Sequence, residues 1–332
     1  MEIPLRIGNV ELPGRVVLAP MSGVTDAPFR TAALRFGAPV VVSEMIASEA
    51  LAHDKPEMLL KAQCAGGTLH VVQLAGREAR WLAEGARRLA GSGADIIDIN
   101  MGCPSKRVTT GYCGASLMRD GALAGRLVEA VVAASPVPVT VKMRLGWDEQ
   151  TINAAEIARI AVEAGAQAIT VHGRTRQQFY KGTANWSKVR AVRDTVNVPL
   201  VVNGDISSVA DAREALRQSG ADAVMVGRAS YGKPWLTAKI EAELGGRRAV
   251  APSMSDLAEA IAAHYEAMLV HYGVAIGLRA ARKHVGWYLS GNLPESIYGA
   301  VLPALMTSED PQFVIRGIRA AFRDGHEQAR AA

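Results

Sequence analysis

A cysteine stands between glycine and proline in Asn100-Met101-Gly102-Cys103-Pro104, and Ser105-Lys106-Arg107 follows it directly. A thiol on an exposed turn beside basic side chains can act as a nucleophile or a proton donor, whereas a small cysteine packed in a core does neither. The glycine and proline neighbours favour the turn. Lys142 lies inside the apolar run Val139 to Arg144. A lysine so placed must meet a carbonyl, a phosphate or an anionic ring, or else an acid such as Asp98. His172 closes another such run, where a neutral imidazole either binds a phosphate or carbonyl or serves as a hydrogen-bonded structural group. Asn203-Gly204-Asp205 and Gly227-Arg228 are glycine turns whose backbone N–H groups suit a phosphate.

These residues sit at the ends of eight short apolar runs: Val16 to Met21, Val40 to Met45, Leu69 to Leu74, Ile96 to Met101, Val139 to Arg144, Ala168 to Gly173, Leu200 to Asp205 and Ala223 to Arg228. The stretches between them are long enough for helices, and Arg77 to Leu89 shows helical spacing. Runs apolar on both faces and alternating with helices indicate a parallel sheet, and eight of them predict a closed (β/α)8 TIM barrel of the α/β class. Side chains alternate in a strand, so parity puts Glu44, Gln73, Asp98, Asn100, Lys142, Arg144, His172, Asn203, Asp205 and Arg228 on one face. Burying such groups unpartnered costs roughly 1 to 3 kcal/mol each, so they must surround a polar ligand at the C-terminal mouth. In that position the two glycine turns fall after the seventh and eighth strands, where this fold commonly cradles phosphate. Gly93, Gly165 and Gly220 each close a helical stretch shortly before a strand, as the turns at the barrel's other end require.

At 332 residues and 49% hydrophobic, the chain can bury a barrel core and still supply a smaller second domain. Residues 1–243 are the expected barrel and 252–332 a helical bundle, with Glu241 to Pro252 read as the linker. Helices are expected over Ser255 to Tyr272, Val274 to Ser290, Pro294 to Met306 and Pro311 to Arg323, with Ser255 and Ser308 as N-caps and Gly273, Gly291 and Gly325 past helix ends. No apolar run is long enough to span a membrane, and Glu2 and Arg6 interrupt the N-terminus, so neither a span nor a signal peptide is indicated and a cytoplasmic protein is expected. Three cysteines, Cys64, Cys103 and Cys113, are too few and too scattered for a disulfide framework or a metal site. The charge of +5 favours a polyanionic partner without requiring one, and the excess sits ahead of the last eighty residues, which hold seven basic and eight acidic side chains.

Five ordered motifs complete the picture: Ala19-Pro20-Met21-Ser22-Gly23-Val24-Thr25-Asp26, the Asn-Met-Gly-Cys-Pro run, Val141-Lys142-Met143-Arg144-Leu145-Gly146, Val171-His172-Gly173-Arg174-Thr175-Arg176 and Asn203-Gly204-Asp205-Ile206. Together they resemble the tRNA-dihydrouridine synthases. Gly277-Leu278-Arg279-Ala280-Ala281-Arg282-Lys283-His284 in the helical region resembles the bacterial B-type (DusB-like) branch. The resemblance implies a monomeric, metal-free enzyme with FMN across the barrel mouth, held by Pro20, Met21, Ser22, Gln73, Lys142, His172, Asn203, Gly204, Asp205, Gly227 and Arg228. It implies reduction by NADPH or NADH, hydride transfer to C6 of a tRNA uracil, and protonation of C5 by Cys103 from the opposite face. Asn100 is implied to orient the base, and Arg174, Arg176, Arg279, Arg282 and Lys283 are candidates for substrate phosphate contacts.

Three rival readings share parts of this pattern. A Schiff-base aldolase uses an inward lysine, here Lys142. A flavin barrel acting on a free pyrimidine or enone needs no basic helical appendage, and a non-catalytic RNA-binding protein needs no redox centre. Tyr112-Cys113-Gly114 departs from the expected alanine- and glycine-containing loop and adds a second thiol ten residues past Cys103.

Overall fold

The computed structural model describes residues 4–67, 69–249 and 251–331, without the side chains of 329–331. Glu2, named above, lies outside them. Eight parallel strands close into one barrel: β1 Val16–Leu18, β2 Val40–Ala47, β3 Val71–Ala75, β4 Ile96–Met101, β5 Val139–Arg144, β6 Ala168–His172, β7 Leu200–Asn203 and β8 Ala223–Val226. They pair in sequence order, and β8 closes on β1 through Met225 beside Val17. Helices Ala79–Gly91, Gly121–Ala134, Ala154–Glu163 and Val209–Ser219 pack outside. Their spacing explains why: in Ala79–Gly91 the buried residues are Leu82, Gly85, Ala86 and Leu89, one stripe of a 3.6-residue period.

The barrel interior is layered. Val17, Val40, Val42, Val71, Ile96, Ala168, Val201, Ala223 and Met225 fill its lower part, closed off by Ile7 and Leu12 from a short N-terminal hairpin. Above them the inward positions turn polar, with Gln73, Asp98, Thr140, Lys142, Thr170 and Asn203 all buried. Asp98 accepts from Gln73 Nε2 at 2.7 Å and from Thr140 Oγ1 at 2.6 Å, so a buried acid is satisfied by neutral donors.

Parity fails at two places. Between Val42 and Met45 the β2–β3 register slips, so three residues of β2 oppose two of β3. This bulge turns Met45 inward and Glu44 out of the barrel, where its carboxylate accepts from Gly23 N at 2.5 Å. Arg228 is the second case. Ala223 and Met225 face in, the strand stops at Val226, and Arg228 reaches the mouth from the 3₁₀ turn Arg228–Ser230 rather than from a strand face.

Helix α1 (Ala27–Arg35) follows β1, and α2 (Leu236–Leu244) ends the barrel. The expected linker begins later than its composition suggested, because Glu241 lies inside α2 and accepts from Arg15 N and Val16 N at 2.8 and 2.9 Å. Then come α3 (Met254–Tyr272), α4 (Val274–Asn292), α5 (Glu295–Thr307) and α6 (Pro311–Ala331). Their shared core includes Ile261, Met268, Val285, Leu289, Ile318 and Phe322, and Phe36 and Trp235 of the barrel pack against it. The cap of α3 is Ser253, whose side chain accepts from Asp256 N, and Ser255 lies within the helix. Before α6, Ser308 Oγ accepts from Asp310 N, and Asp310 Oδ1 accepts from Gln312 N. Gly291 and Gly325 fall inside α4 and α6 rather than past their ends. Gly325 permits packing, since a Cβ there would lie 2.6 Å from Leu293 Cδ2. No described helix is long and apolar enough to cross a membrane.

Candidate active site

The C-terminal mouth of the barrel opens into a cavity of about 1000 Å³. Pro20, Met21, Ser22, Gln73, Asn100, Cys103, Lys142, His172, Asn203, Gly204, Asp205, Gly227 and Arg228 all line it, so residues from seven separate chain segments converge. Arg174, Arg176, Arg279, Arg282 and Lys283 do not.

A chain of side-chain bonds fixes the thiol. Asp98 holds Gln73, Gln73 Oε1 accepts from Asn100 Nδ2 at 2.7 Å, and Asn100 Oδ1 accepts from Cys103 N at 2.9 Å and Gly102 N at 3.1 Å. Asn100 thus caps the turn that presents Cys103. On the other side Arg144 Nε donates to Gly102 O at 2.8 Å, while Nη1 donates to Thr175 O and Phe179 O, each at 2.9 Å. Burial pushes the Cys103 thiol up from its ordinary value, against the lowering effects of the Ser105 N–H, Arg144 and Lys142. The proton is retained at neutral pH. Cys113 also lines the cavity and is raised by burial, but its Sγ donates to Gly111 O at 3.4 Å and its charged neighbours are Arg77 and Glu49.

Lys142 Nζ donates to Asn203 Oδ1 at 3.2 Å, and Asn203 Nδ2 donates in turn to Met225 O at 2.8 Å. Burial, and then the charge of Arg144, lowers the ammonium to about 8. Asp98, the acid expected as its alternative partner, is occupied by Gln73 and Thr140, and no described carboxylate lies within ion-pair distance of Lys142. His172 is held neutral, its pKa driven well down by burial and by Arg144 and Lys142. Arg174 Nη1 is 3.3 Å from His172 Nε2; a guanidinium only donates, so Nε2 accepts and Nδ1 carries the hydrogen.

The turn after β7 is built from two consecutive left-handed residues, Gly204 (φ +117) and Asp205 (φ +54). A Cβ on Gly204 would meet Ala184 Cβ at 2.7 Å and His172 Cδ2 at 3.0 Å, so only glycine fits. Asp205 accepts from Arg174 Nη2 at 2.5 Å, Ala184 N at 2.8 Å and Arg228 Nη2 at 3.2 Å. Burial alone would raise its pKa, but these bonds and charges outweigh it and hold the carboxylate below its ordinary range. Arg174 is therefore spent inside the protein: it is 2% exposed and also donates to Lys181 O and Gly182 O. This differs from the phosphate contact expected of it.

Arg176 is half-buried over the Trp147 ring and donates to Thr109 Oγ1 at 3.2 Å. Arg279 is exposed and Arg282 half-buried on α4, while Lys283 turns toward the barrel, its Nζ 3.3 Å from where a Gly23 Cβ would stand. Sequence reasoning missed Phe179, Tyr180 and Tyr231, which line the cavity. Tyr180 lies under the guanidinium of Arg228 at 4.7 Å and near that of Arg144 at 5.5 Å. These aromatics stand on loops with no periodicity; the left-handed Phe179 (φ +55) has no glycine or asparagine to advertise it. Among the described residues, no group of three or more His, Cys, Asp or Glu side chains is arranged to hold a metal ion.

A family profile described as dihydrouridine synthase (Dus) matches residues 17–312. A Rhizobium leguminosarum bv. phaseoli protein named "Probable tRNA-dihydrouridine synthase" is 51% identical over 319 residues, 95% of this chain and 98% of its own. A Pseudomonas putida protein named "tRNA-dihydrouridine synthase B" is 41% identical over 322 residues, covering 96% of this chain and 95% of its own. The solved structure of histamine dehydrogenase from Rhizobium sp. 4-9 superposes with a TM-score of 0.53 at 17% identity, over 79% of this chain and 50% of that one, and so shares the fold alone. With its motifs gathered at one barrel mouth and relatives matched along nearly their whole length, the chain belongs to the dihydrouridine synthase family.

Proposed function

We propose that the protein reduces particular uridines of tRNA to 5,6-dihydrouridine, with FMN as cofactor and NADPH or NADH as reductant. In this reading residues 1–243 are the catalytic barrel and 252–332 the helical tRNA-binding part of a cytoplasmic monomer. The observation that carries it is the pairing, in one cavity, of a buried cation that has no carboxylate within ion-pair distance among the described residues with a thiol that keeps its proton.

The residues present fit FMN. Lys142, the Nδ1–H of His172 and Arg228 supply positive or donor groups to a ring carbonyl or phosphate, and the Gly204 turn lines the cavity beside them. Bound there, FMN supplies a hydride to C6 of the uracil. The remaining chemistry falls to the chain. Hydride addition leaves negative charge on C5 and on the C4 oxygen, and Cys103 gives its proton to C5, completing reduction of the C5=C6 bond. Burial favours this role because it keeps the sulfur protonated until that charge develops. Asn100 has one amide hydrogen without a protein acceptor among the described residues, and donates it to a uracil carbonyl. A uridine must leave its stack to enter such a mouth, as base-modifying enzymes generally require. Arg176, Arg279 and Arg282 contact the RNA backbone, while Arg174 acts through Asp205.

Dihydrouridine mapping in tRNA from a deletion strain, with and without the restored gene, tests the activity; the expected result is loss and recovery at defined positions. Protein that is folded and colourless, and that cannot be reconstituted with FMN, would overturn the reading.

A further inference from the structure

Two loops reach the cavity on either side of the seam where β8 closes on β1: the β1–α1 turn, Pro20 to Asp26, and the segment after β8, Gly227 to Lys233. Both are gripped by the C-terminal helices. After β8, Tyr231 lines the cavity and stacks on Trp287 of α4, ring centroids 4.1 Å apart and planes 12° from parallel. The next residue, Gly232, is left-handed (φ +65), and a Cβ there would fall 2.2 Å from Trp287 O, so loop and helix backbones are in direct contact. Asn292 Nδ2 at the end of α4 donates to Gly232 O at 3.1 Å. After β1, Tyr272 OH of α3 donates to Asp26 Oδ2 at 2.9 Å. Asp26 Oδ1 meanwhile caps α1 at Phe29 N. Lys283 of α4 stands over Gly23, whose N–H is held by the outward-turned Glu44.

We propose that α4 is a strut of the cofactor site, with Trp287 and Asn292 as positioning residues that set the Gly227 to Lys233 loop. The proposal deepens the FMN reading above and rests on it only for the identity of the ligand. None of these helical residues touches the cavity, so they act through Tyr231 and Gly232. The helices then have a second task besides meeting RNA.

The test joins amide hydrogen exchange of the ligand-free protein to FMN titration of the apoprotein. In Trp287→Ala, exchange over 227–233 should rise at least about tenfold and FMN should bind about tenfold more weakly, while tRNA affinity stays within about threefold. Core amides of α6 such as Ile318 should keep their protection, and Trp287→Phe should restore most of both losses. Unchanged exchange over 227–233 overturns the proposal, whatever the ligand is. Unaltered protein that binds no FMN counts against the cofactor reading, and the exchange measurement still decides the strut. If Ile318 also loses protection, the bundle itself has loosened. Asn292→Ala, which removes the bond to Gly232 O and one bond to Tyr288 O within α4 but no apolar side chain of the helical core, is then read by the same exchange criterion.

Discussion

Two thiols face one cavity, and the structure gives a reason to expect only one of them to act. The backbone of Cys103 is pinned by Asn100 Oδ1 at 2.9 Å, and its nearest cations are Arg144 and Lys142 on the cavity floor. Cys113 spends its sulfur proton on Gly111 O and faces Arg77 and Glu49. General acid catalysis is typically worth about 10² to 10⁴ in rate, or roughly 3 to 5 kcal/mol of barrier. Cys103→Ala should therefore lose about that factor in dihydrouridine formation under single turnover, with reduced enzyme in excess over tRNA and the product counted by nucleoside mass spectrometry. Its FMN content and reduction by NADPH should stay unchanged. Cys113→Ala should cost less than about tenfold. Asn100→Ala removes two acceptor contacts from the turn, each worth about 0.5 to 1.5 kcal/mol, and should slow the same step by roughly tenfold to a hundredfold with tRNA affinity retained. The pH profile supplies a second check. Because burial raises the thiol above its ordinary value of 9.0, the acid stays competent through neutral and mildly alkaline pH, and its contribution falls only beyond that value. A larger loss for Cys113→Ala than for Cys103→Ala would refute the assignment at its central residue.

Further outcomes follow from the same geometry. Lys142→Met should raise the melting temperature of the apoprotein, since it removes a buried charge with no carboxylate within ion-pair distance among the described residues, yet weaken FMN binding; in the unaltered protein FMN affinity should decline as pH rises through about 8, where the ammonium loses its proton. A variant that is less stable and binds FMN normally would contradict that account. Arg279→Ala with Arg282→Ala should lower the dependence of tRNA affinity on salt by about one to two units of slope, measured by titration at several salt concentrations, and leave NADPH oxidation intact. Lys283 is excluded from that pair because it stands against Gly23. Burial holds His264 at about 3, below the roughly 6.5 of an unfolded chain, so the folded state resists protonation and its stability falls as pH drops from 6.5 toward 3. His264 alone should contribute about 2 kcal/mol of loss by pH 5, to which His172 and His284, likewise lowered by burial, add, read as a lower urea midpoint than at pH 7. An equal drop in His264→Leu would assign the effect elsewhere.

The barrel and most of its mouth were legible because both rest on local pattern. Strands β4 and β5 begin and end where their apolar runs do, and inward parity gathered Gln73, Asn100, Lys142, His172 and Asn203 correctly. What escaped depends on contacts distant in the chain. Nothing in Val-Val-Val-Ser-Glu-Met signals that one extra residue will be accommodated against β3, yet that bulge decides whether Glu44 is a cavity group or the clasp on Gly23. Arg174 and Lys283 look like surface cations in sequence because charge says nothing about burial. Arg174 is sealed in by Asp205 and two carbonyls from the loop that folds over it, whereas Lys283 is half-buried with its ammonium over Gly23. Gly291 and Gly325 show the converse error: both lie inside helices, and a Cβ would crowd Leu293 Cδ2 at Gly325 but meet only Lys233 Cε, at 3.9 Å, at Gly291.

That distinction bears on how the chain divides. The last helix of the barrel ends at Leu244, and the barrel and the C-terminal helices have separate hydrophobic cores. Specific contacts nevertheless cross the break at the mouth, where Trp287 meets Tyr231 and Tyr272 meets Asp26. Phe29 of α1 is likewise wedged against His264 and His284, both buried, with ring centroids 5.7 and 5.6 Å away. A helical appendage that only carried RNA phosphates would need a charged outer face and no such anchorage. The inner faces of α3 and α4 instead reach the two loops beside the β8–β1 seam, so the surface that carries Arg279 and Arg282 is mechanically continuous with the wall of the catalytic cavity.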